Sequence, residues 1–251
     1  MTDIPLPVIA IPSYNRADLI TILTLSYLER ENYPSSKIFI FVASEAEKAQ
    51  YVLQVPRHLY NQIIIGVLGL KEQRKFISDY FPEGQILIQL DDDVRRIKML
   101  DPRMTFLDLV NRGVDEITSG VGLFGVLPNS DGRKMKQNTT RHLTHILGSF
   151  FICRNHKDLV VNISDKEDFE RSILYFKRYS AVARYQGAGV DTVYAGTPGG
   201  LNTPGRPNRS LSDLSYLMLN YKEFCKTIIK KNNKLDIMLL WRAKTGDPRA
   251  P

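Results

Sequence analysis

The sequence predicts an α/β fold, a mostly parallel sheet flanked by helices and forming a single domain. Short apolar runs of β type alternate with segments of helical apolar spacing through the first half of the chain, which is the pattern of strands joined by crossover helices. The 251 residues suffice for one full core but would be cramped as two large independent domains. The composition is 43% hydrophobic and 24% charged, with 16 Gly and 13 Pro, which excludes disordered, collagen-like and low-complexity classes.

The elements follow in order. Val8 to Ile11 reads as a buried strand, Leu19 to Glu29 as a helix, Ile38 to Ala43 as a second strand and Glu45 to Leu53 as a second helix. Ile63 to Ile65 is a third strand. Leu70 to Tyr80 carries Leu70, Phe76, Ile77 and Tyr80 at helical spacing, and Pro82-Glu83-Gly84 is a turn before the strand Gln85 to Leu90. That strand runs directly into Asp91-Asp92-Asp93. Thr105 to Ser119 is a helix and Gly122 to Leu127 a strand, after which Asn129-Ser130-Asp131-Gly132 opens a basic loop. In the less regular second half, Thr144 to Cys153 is strand-like and Asp165 to Tyr179 is a helix whose Asp165, Glu167 and Asp168 favour its positive end. After Ala181 to Tyr185 comes a Gly/Pro-rich loop from Gly196 to Pro207, of the kind that closes over active sites or stays disordered. A long helix over Ser212 to Lys231 and an apolar segment over Leu235 to Trp241 close the chain.

Charge gives the first functional hint: 34 Lys and Arg against 27 Asp and Glu leave +7, with a sequence pI near 9.3. The excess gathers at Arg133, Lys134, Lys136 and Arg141, at Lys177, Arg178 and Arg184, at Arg206 and Arg209, and along Lys222 to Lys234. Such clusters suit a phosphate backbone or are simply a basic, soluble surface. No apolar run approaches the roughly 20 residues of a membrane span. The opening Met1-Thr2-Asp3-Ile4-Pro5 has neither the basic region nor the apolar run of a signal peptide, and Cys153 and Cys225 form no metal or redox spacing, so a reducing, cytoplasmic location is expected.

Asp91-Asp92-Asp93 is the sharpest feature. Three adjacent carboxylates at the carboxyl end of a buried strand repel one another unless a cation or hydrogen-bond donors compensate, and ligands of open α/β sheets bind at that end. On an extended segment Asp91 and Asp93 would face one side and Asp92 the other. Such hard oxygen ligands suit Mg²⁺ or Mn²⁺ bridging a diphosphate. The alternative is an acidic turn paired with Arg95 and Arg96. Arg96 at the sixth position excludes an EF-hand, and no P-loop, HExxH or GxSxG element occurs.

Ile11-Pro12-Ser13-Tyr14-Asn15-Arg16 follows the first strand. A strand ending in P-x-Y-N-R, a later strand ending in D-D-D and an E-D pair opening a still later helix together resemble the nucleotide-sugar glycosyltransferases of the GT-A fold, a Rossmann-type architecture. Within them the chain looks most like the TET-associated group of bacteriophages, relatives of the base J glucosyltransferase, on the strength of Asp91-Asp92-Asp93-Val94 and Gly199-Gly200. The motifs span Ile9 to about Arg171.

The resemblance implies a metal-dependent, inverting enzyme with Mg²⁺ or Mn²⁺ and a nucleotide-diphosphate sugar, a UDP-sugar, as donor. It implies that Pro12, Tyr14 and Arg16 line the nucleotide pocket, that Arg74 reaches the uracil or diphosphate, that Asp91 addresses the ribose side, with Asp92 also among the donor-binding residues, and that Asp93, with Asp91, holds the metal. Gly148 would lie beside the donor sugar. Asp168, with Glu167 as fallback, would be the base that deprotonates the acceptor hydroxyl. Residues 1–128 would bind the donor and 129–251 the acceptor, a 5-hydroxymethylpyrimidine in DNA. The late His that many metal-dependent members use as a ligand is missing, since the last His is His156, and His142 and His145 read as structural histidines or acceptor contacts. Two other readings stay open: a saccharide, lipid or protein acceptor, and a non-catalytic DNA-binding protein on a degenerate scaffold.

Overall fold

The computed structural model describes residues 5–193, 206–230 and 233–241. Its centre is a nine-stranded mixed sheet. β1 (Val8–Pro12) lies between β2 (Ile38–Val42) and β4 (Ile86–Leu90), parallel to both, and β3 (Gln62–Ile65) continues the parallel run beside β2. β8 (Phe150–Arg154) is antiparallel to β4 and to β6 (Leu123–Leu127). β9 (Ala183–Thr192) runs parallel to β6, while β5 (Val94–Met99) and β7 (Thr139–Arg141) run antiparallel to β9. β1, β2, β3, β4, β6 and β9 thus share one direction, which is the mostly parallel α/β sheet expected from the sequence.

Alternation along β1 divides the core in two. Ile9 and Ile11 face one side, where they meet Ile20 of α1 (Ala17–Ile20), Leu25, Leu28 of α2 (Ser26–Arg30), Tyr51 of α3 (Glu45–Gln54), and Phe106, Leu109 and Val110 of α5 (Phe106–Thr118). Ala10 faces the other, with Ile77 of α4 (Leu70–Tyr80), Ile173 and Phe176 of α6 (Glu167–Tyr179), and Leu214 and Leu217 of α7 (Arg206–Asn220). α4 has the boundaries expected of it. Gly69 precedes it at φ 99°, a conformation that an L side chain resists, so the chain enters the helix sharply. Thr105 and Asp108 form the capping box that starts α5.

Three expectations need correction, and one strand forms where the sequence assigns no element. The segment after the triplet is that strand, the edge strand β5, in which only Val94 and Ile97 are buried. The strand expected from Thr144 begins only at Phe150, because Gly148 turns its carbonyl to Arg74 instead of to a neighbouring strand. The long closing helix stops at Asn220, and Cys225–Ile229 forms β10, which hairpins with β11 (Leu235–Leu239) through Asn233 at φ 57°. β9 continues past Tyr185 to Thr192. The Gly/Pro-rich loop lies outside the described residues as far as residue 205. No described helix is long and apolar enough to cross a membrane.

The helical stretch 17–30 widens into a π turn at Thr21–Leu25, a local irregularity common near functional sites. Within it, the fully buried Thr24 donates its hydroxyl to the Asp91 carbonyl (2.8 Å) and accepts from Val94 N (3.0 Å), so one side chain spans the whole acidic triplet. Thr24→Val keeps the shape but leaves the Val94 N–H unpaired in the core. It should cost about 1–3 kcal/mol in urea unfolding, whereas a change below about 0.5 kcal/mol would show that Thr24 does not anchor the triplet.

Candidate functional site

The carboxyl end of β4 is pinned from three directions. Asp91 N donates to Ser149 O (3.0 Å), Thr24 holds the Asp91 carbonyl, and the Asp93 carbonyl accepts from Val193 N (3.2 Å). Asp91 and Asp92 point to opposite faces as alternation requires. Asp93 departs from the expectation that it shares the Asp91 side, because the backbone turns at Asp92 and Asp93 and brings Asp93 Oδ2 to 3.5 Å from Arg16 Nη1.

Asp92 is the buried member, at 5% exposure. Ser13 donates to its Oδ2 (2.6 Å) and Arg16 Nη1 to its Oδ1 (3.0 Å). Tyr51, missed in the sequence, completes this corner: its hydroxyl lies 2.7 Å from Ser13 Oγ and accepts from Arg16 N (2.9 Å). Arg16 occupies the N-cap of the first helical turn, where a cation meets the positive helix end; Asp92 offsets that charge. Arg16 is therefore buried against two carboxylates, not lying open in a pocket. Pro12 ends β1 beside Phe41 of β2, and Tyr14, half-exposed, follows it.

On the other face, α4 aims the buried Arg74 between the two acidic motifs. Its Nη2 donates to Asp91 Oδ1 (3.0 Å) and to Gly148 O (2.9 Å), and its Nη1 donates to Gln89 Oε1 (2.9 Å). Its Nε lies 3.1 Å from Glu167 Oε1, an ion pair without the alignment of a hydrogen bond. Burial disfavours the Arg74 charge, but Glu167 and Asp91 outweigh burial and hold its pKa above the ordinary value. Glu167 is also bound by Arg171, whose guanidinium stacks 3.8 Å from the Phe151 ring centroid and keeps Nε and Nη2 without hydrogen-bond partners. Gly148 is small for a reason: a Cβ there would sit 2.9 Å from Glu167 Oε1 and 3.2 Å from Arg74 Nη2.

Asp168 makes its hydrogen bonds outside this network. Its Oδ2 is 2.7 Å from His145 Nε2 and its Oδ1 accepts from Phe169 N (3.0 Å). Burial pushes its pKa up, but His145 and Arg171 prevail and hold the carboxyl below the usual range. His145 stacks on Phe169 with ring centroids 4.0 Å apart and lines an open pocket of about 700 Å³ with His142, Arg184, Lys230 and Trp241. No local sequence signal marks His145, since its partner is 23 residues away.

Burial raises the pKa of both Asp91 and Asp93 above the carboxylate range; at Asp91 the Arg74 charge opposes it while Asp92 and Glu167 add to it, and at Asp93 the charges of Asp91 and Asp92 add to it against Arg16. These two side chains keep 28% and 16% exposure against 7% for Asp92, so theirs are the accessible oxygens of the triplet. Hard, partly exposed carboxylates fit a small divalent cation, which would relieve the repulsion. Among the described residues, the three-residue group whose ligand atoms all lie within 4.8 Å of one another is Glu83, His156 and Asp158, where β4 begins, and these are engaged by Lys157 N, Tyr179 and Arg178.

No protein-family model matches the sequence, and no curated protein matches it. The fold does match solved structures. Against residues 1–349 of S. aureus TarS the TM-score is 0.51 at 13% identity, covering 73% of this chain and 58% of that one. Against GalNAc-T7 with UDP, GalNAc and Mn²⁺ it is 0.54 at 12% identity, covering 87% and 49%. Glucosyl-3-phosphoglycerate synthase from Mycobacterium tuberculosis, in complex with Mn²⁺, UDP-glucose and phosphoglyceric acid, gives 0.50 at 10% identity, covering 93% and 86%. The chain thus spans little more than half of the TarS fragment it matches, and the likeness establishes the fold, the GT-A type of α/β domain.

Arg16 and Asp93 should respond in opposite ways when unfolding is measured in EDTA at pH 8. Arg16→Met leaves Asp92 buried among other carboxylates without its cation and should cost about 3–5 kcal/mol. Asp93→Asn removes one of three adjacent charges and should leave stability unchanged or raised. Equal losses in both variants would refute the division into a structural Asp92 and a ligand-poised Asp93.

Proposed function

We propose that this chain is a metal-dependent, inverting glycosyltransferase that moves a sugar from a nucleotide-diphosphate sugar, a UDP-sugar, to a 5-hydroxymethylpyrimidine in DNA. The observation that carries the donor half is the partly exposed Asp91 and Asp93 carboxylates, with raised pKa, at the carboxyl end of β4, on a fold that in GalNAc-T7 and in glucosyl-3-phosphoglycerate synthase accompanies UDP or UDP-glucose and Mn²⁺. Asp93 and Asp91 would hold Mg²⁺ or Mn²⁺, and the ion, when bound, would neutralise the departing diphosphate.

The chain's own residues supply the rest. Tyr14, half-exposed after β1, offers a ring to cover the nucleotide base, with Pro12 setting the turn. Arg74 places one fixed positive charge at Asp91 beside the Gly148 carbonyl, where the sugar and diphosphate would lie. Arg16 acts through Asp92, which it holds in place. Residues 1–128 would bind the donor and 129–251 the acceptor. Glu167 is engaged by Arg74 and Arg171, so the base function falls to Asp168 and to what Asp168 holds.

For the acceptor, the support is the net charge of +7 and the resemblance in the motifs. One observation favours a different acceptor: Arg133, Arg141 and Arg178, members of the basic clusters, are neutralised locally by Asp131, Glu116 and Asp158. A saccharide or a small phosphorylated acceptor is therefore the second reading.

Transfer should be measured from a panel of UDP- and GDP-sugars to DNA containing 5-hydroxymethylcytosine, 5-hydroxymethyluracil or unmodified bases, and to oligosaccharides and phosphoglycerate, with Mn²⁺ or EDTA and mass-spectrometric detection. The expected result is transfer that requires both metal and the hydroxymethyl group, and that falls about 10²–10³-fold in Asp93→Ala. Transfer to a saccharide or phosphoglycerate alone would replace the DNA acceptor, and full activity of Asp93→Ala in EDTA would contradict the metal-dependent reading.

A further inference from the structure

We infer that the atom which takes the proton from the acceptor hydroxyl is Nδ1 of His145, with Asp168 as the positioning group behind it; this rests on the glycosyltransferase reading above. Both Asp168 oxygens are occupied, Oδ2 by His145 Nε2 at 2.7 Å and Oδ1 by Phe169 N at 3.0 Å. A carboxylate held ionised in this way is a strong hydrogen-bond acceptor and a poor proton acceptor. It takes the Nε2–H of the imidazole, and that fixes the neutral tautomer in which Nδ1 carries the lone pair.

Nδ1 has no partner among the described residues. The ring is held flat against Phe169, with an interplanar angle of 9°, and its backbone carbonyl accepts from Arg184 Nη1 (3.2 Å). Stacking and the Asp168 bond together leave the imidazole little freedom, and the space it borders is the pocket of about 700 Å³ walled on its far side by the β10–β11 hairpin and Trp241. That pocket is the acceptor subsite in this reading. It adjoins the donor side through neighbouring residues: Glu167, next to Asp168, is ion-paired with the same Arg74 that binds Asp91.

In the step itself the acceptor hydroxyl oxygen forms a bond to the anomeric carbon while the bond from that carbon to the diphosphate oxygen breaks, its electron pair leaving on the nucleotide diphosphate. The hydroxyl proton passes to Nδ1, giving an imidazolium paired with the Asp168 carboxylate, and is then lost to solvent.

Two measurements test this. The first needs no activity: two-bond ¹⁵N–¹H correlation spectra of the intact chain report the tautomer of each of the four histidines, with His145→Gln assigning the signal. The Nε2–H form is expected in the wild type, with a shift toward a tautomer mixture in Asp168→Asn; an Nδ1–H tautomer in the wild type overturns the proposal. The second uses the donor and acceptor identified by the transfer panel. His145→Gly should lose about 10²–10⁴-fold in kcat with donor KM unchanged, and added imidazole should restore at least about tenfold of the loss. Wild-type rates in His145→Gly, or a loss that imidazole does not relieve, overturn it. Absence of transfer by the wild type to every acceptor would instead count against the glycosyltransferase reading, and the tautomer result would stand separately.

Discussion

One buried guanidinium organises the site. Arg74 joins the end of β4 to the start of α6 through Asp91 and Glu167, and takes the Gly148 carbonyl out of the β-ladder to do so. A buried cation of this kind is tolerable only with its carboxylates in place. The positions of the triplet, of the turn before β8 and of the first turn of α6 are therefore set together. Gln89 binds the remaining face of the guanidinium from within β4, so the arginine is fixed on four sides and presents its charge at one place.

A second cation performs the same service on the opposite face of the sheet. Arg16, supported through its backbone by the Tyr51 hydroxyl, neutralises Asp92. Even beside these arginines Asp91 and Asp93 stay partly exposed with raised pKa, because burial and the neighbouring carboxylates outweigh Arg74 at the one and Arg16 at the other. An electrostatic deficit of this form at the carboxyl end of an α/β strand is what a divalent ion and a diphosphate would relieve. The arrangement follows from charge accounting within the chain.

Much of the donor side was legible in the sequence because it is local. The strand Ile86–Leu90 announces itself by apolar residues and ends in three carboxylates, and α4 is bounded by Gly69 before it and the Pro82 turn after it. β5 was hidden because an edge strand with Arg95, Arg96 and Lys98 exposed has almost no apolar alternation to read. The end of the last helix was misplaced because Tyr221, Phe224 and Cys225 continue a helical apolar spacing, although the β-branched Thr227, Ile228 and Ile229 favour the strand that forms. Thr24 and Tyr51 have no signal in the sequence, and the pairing of His145 with Asp168 has none either, for one reason: each acts on a partner 23 to 67 residues away, and only tertiary packing brings the pairs together.

The most direct test of a metal-dependent nucleotide-sugar site at the end of β4 is calorimetric titration of the intact chain with UDP and GDP, each in Mn²⁺ and in EDTA. Saturable binding of one nucleotide that appears with Mn²⁺, vanishes in EDTA and is lost in Asp93→Asn is the predicted result. Binding of equal strength in EDTA, or no binding of either nucleotide with Mn²⁺ present, would contradict it.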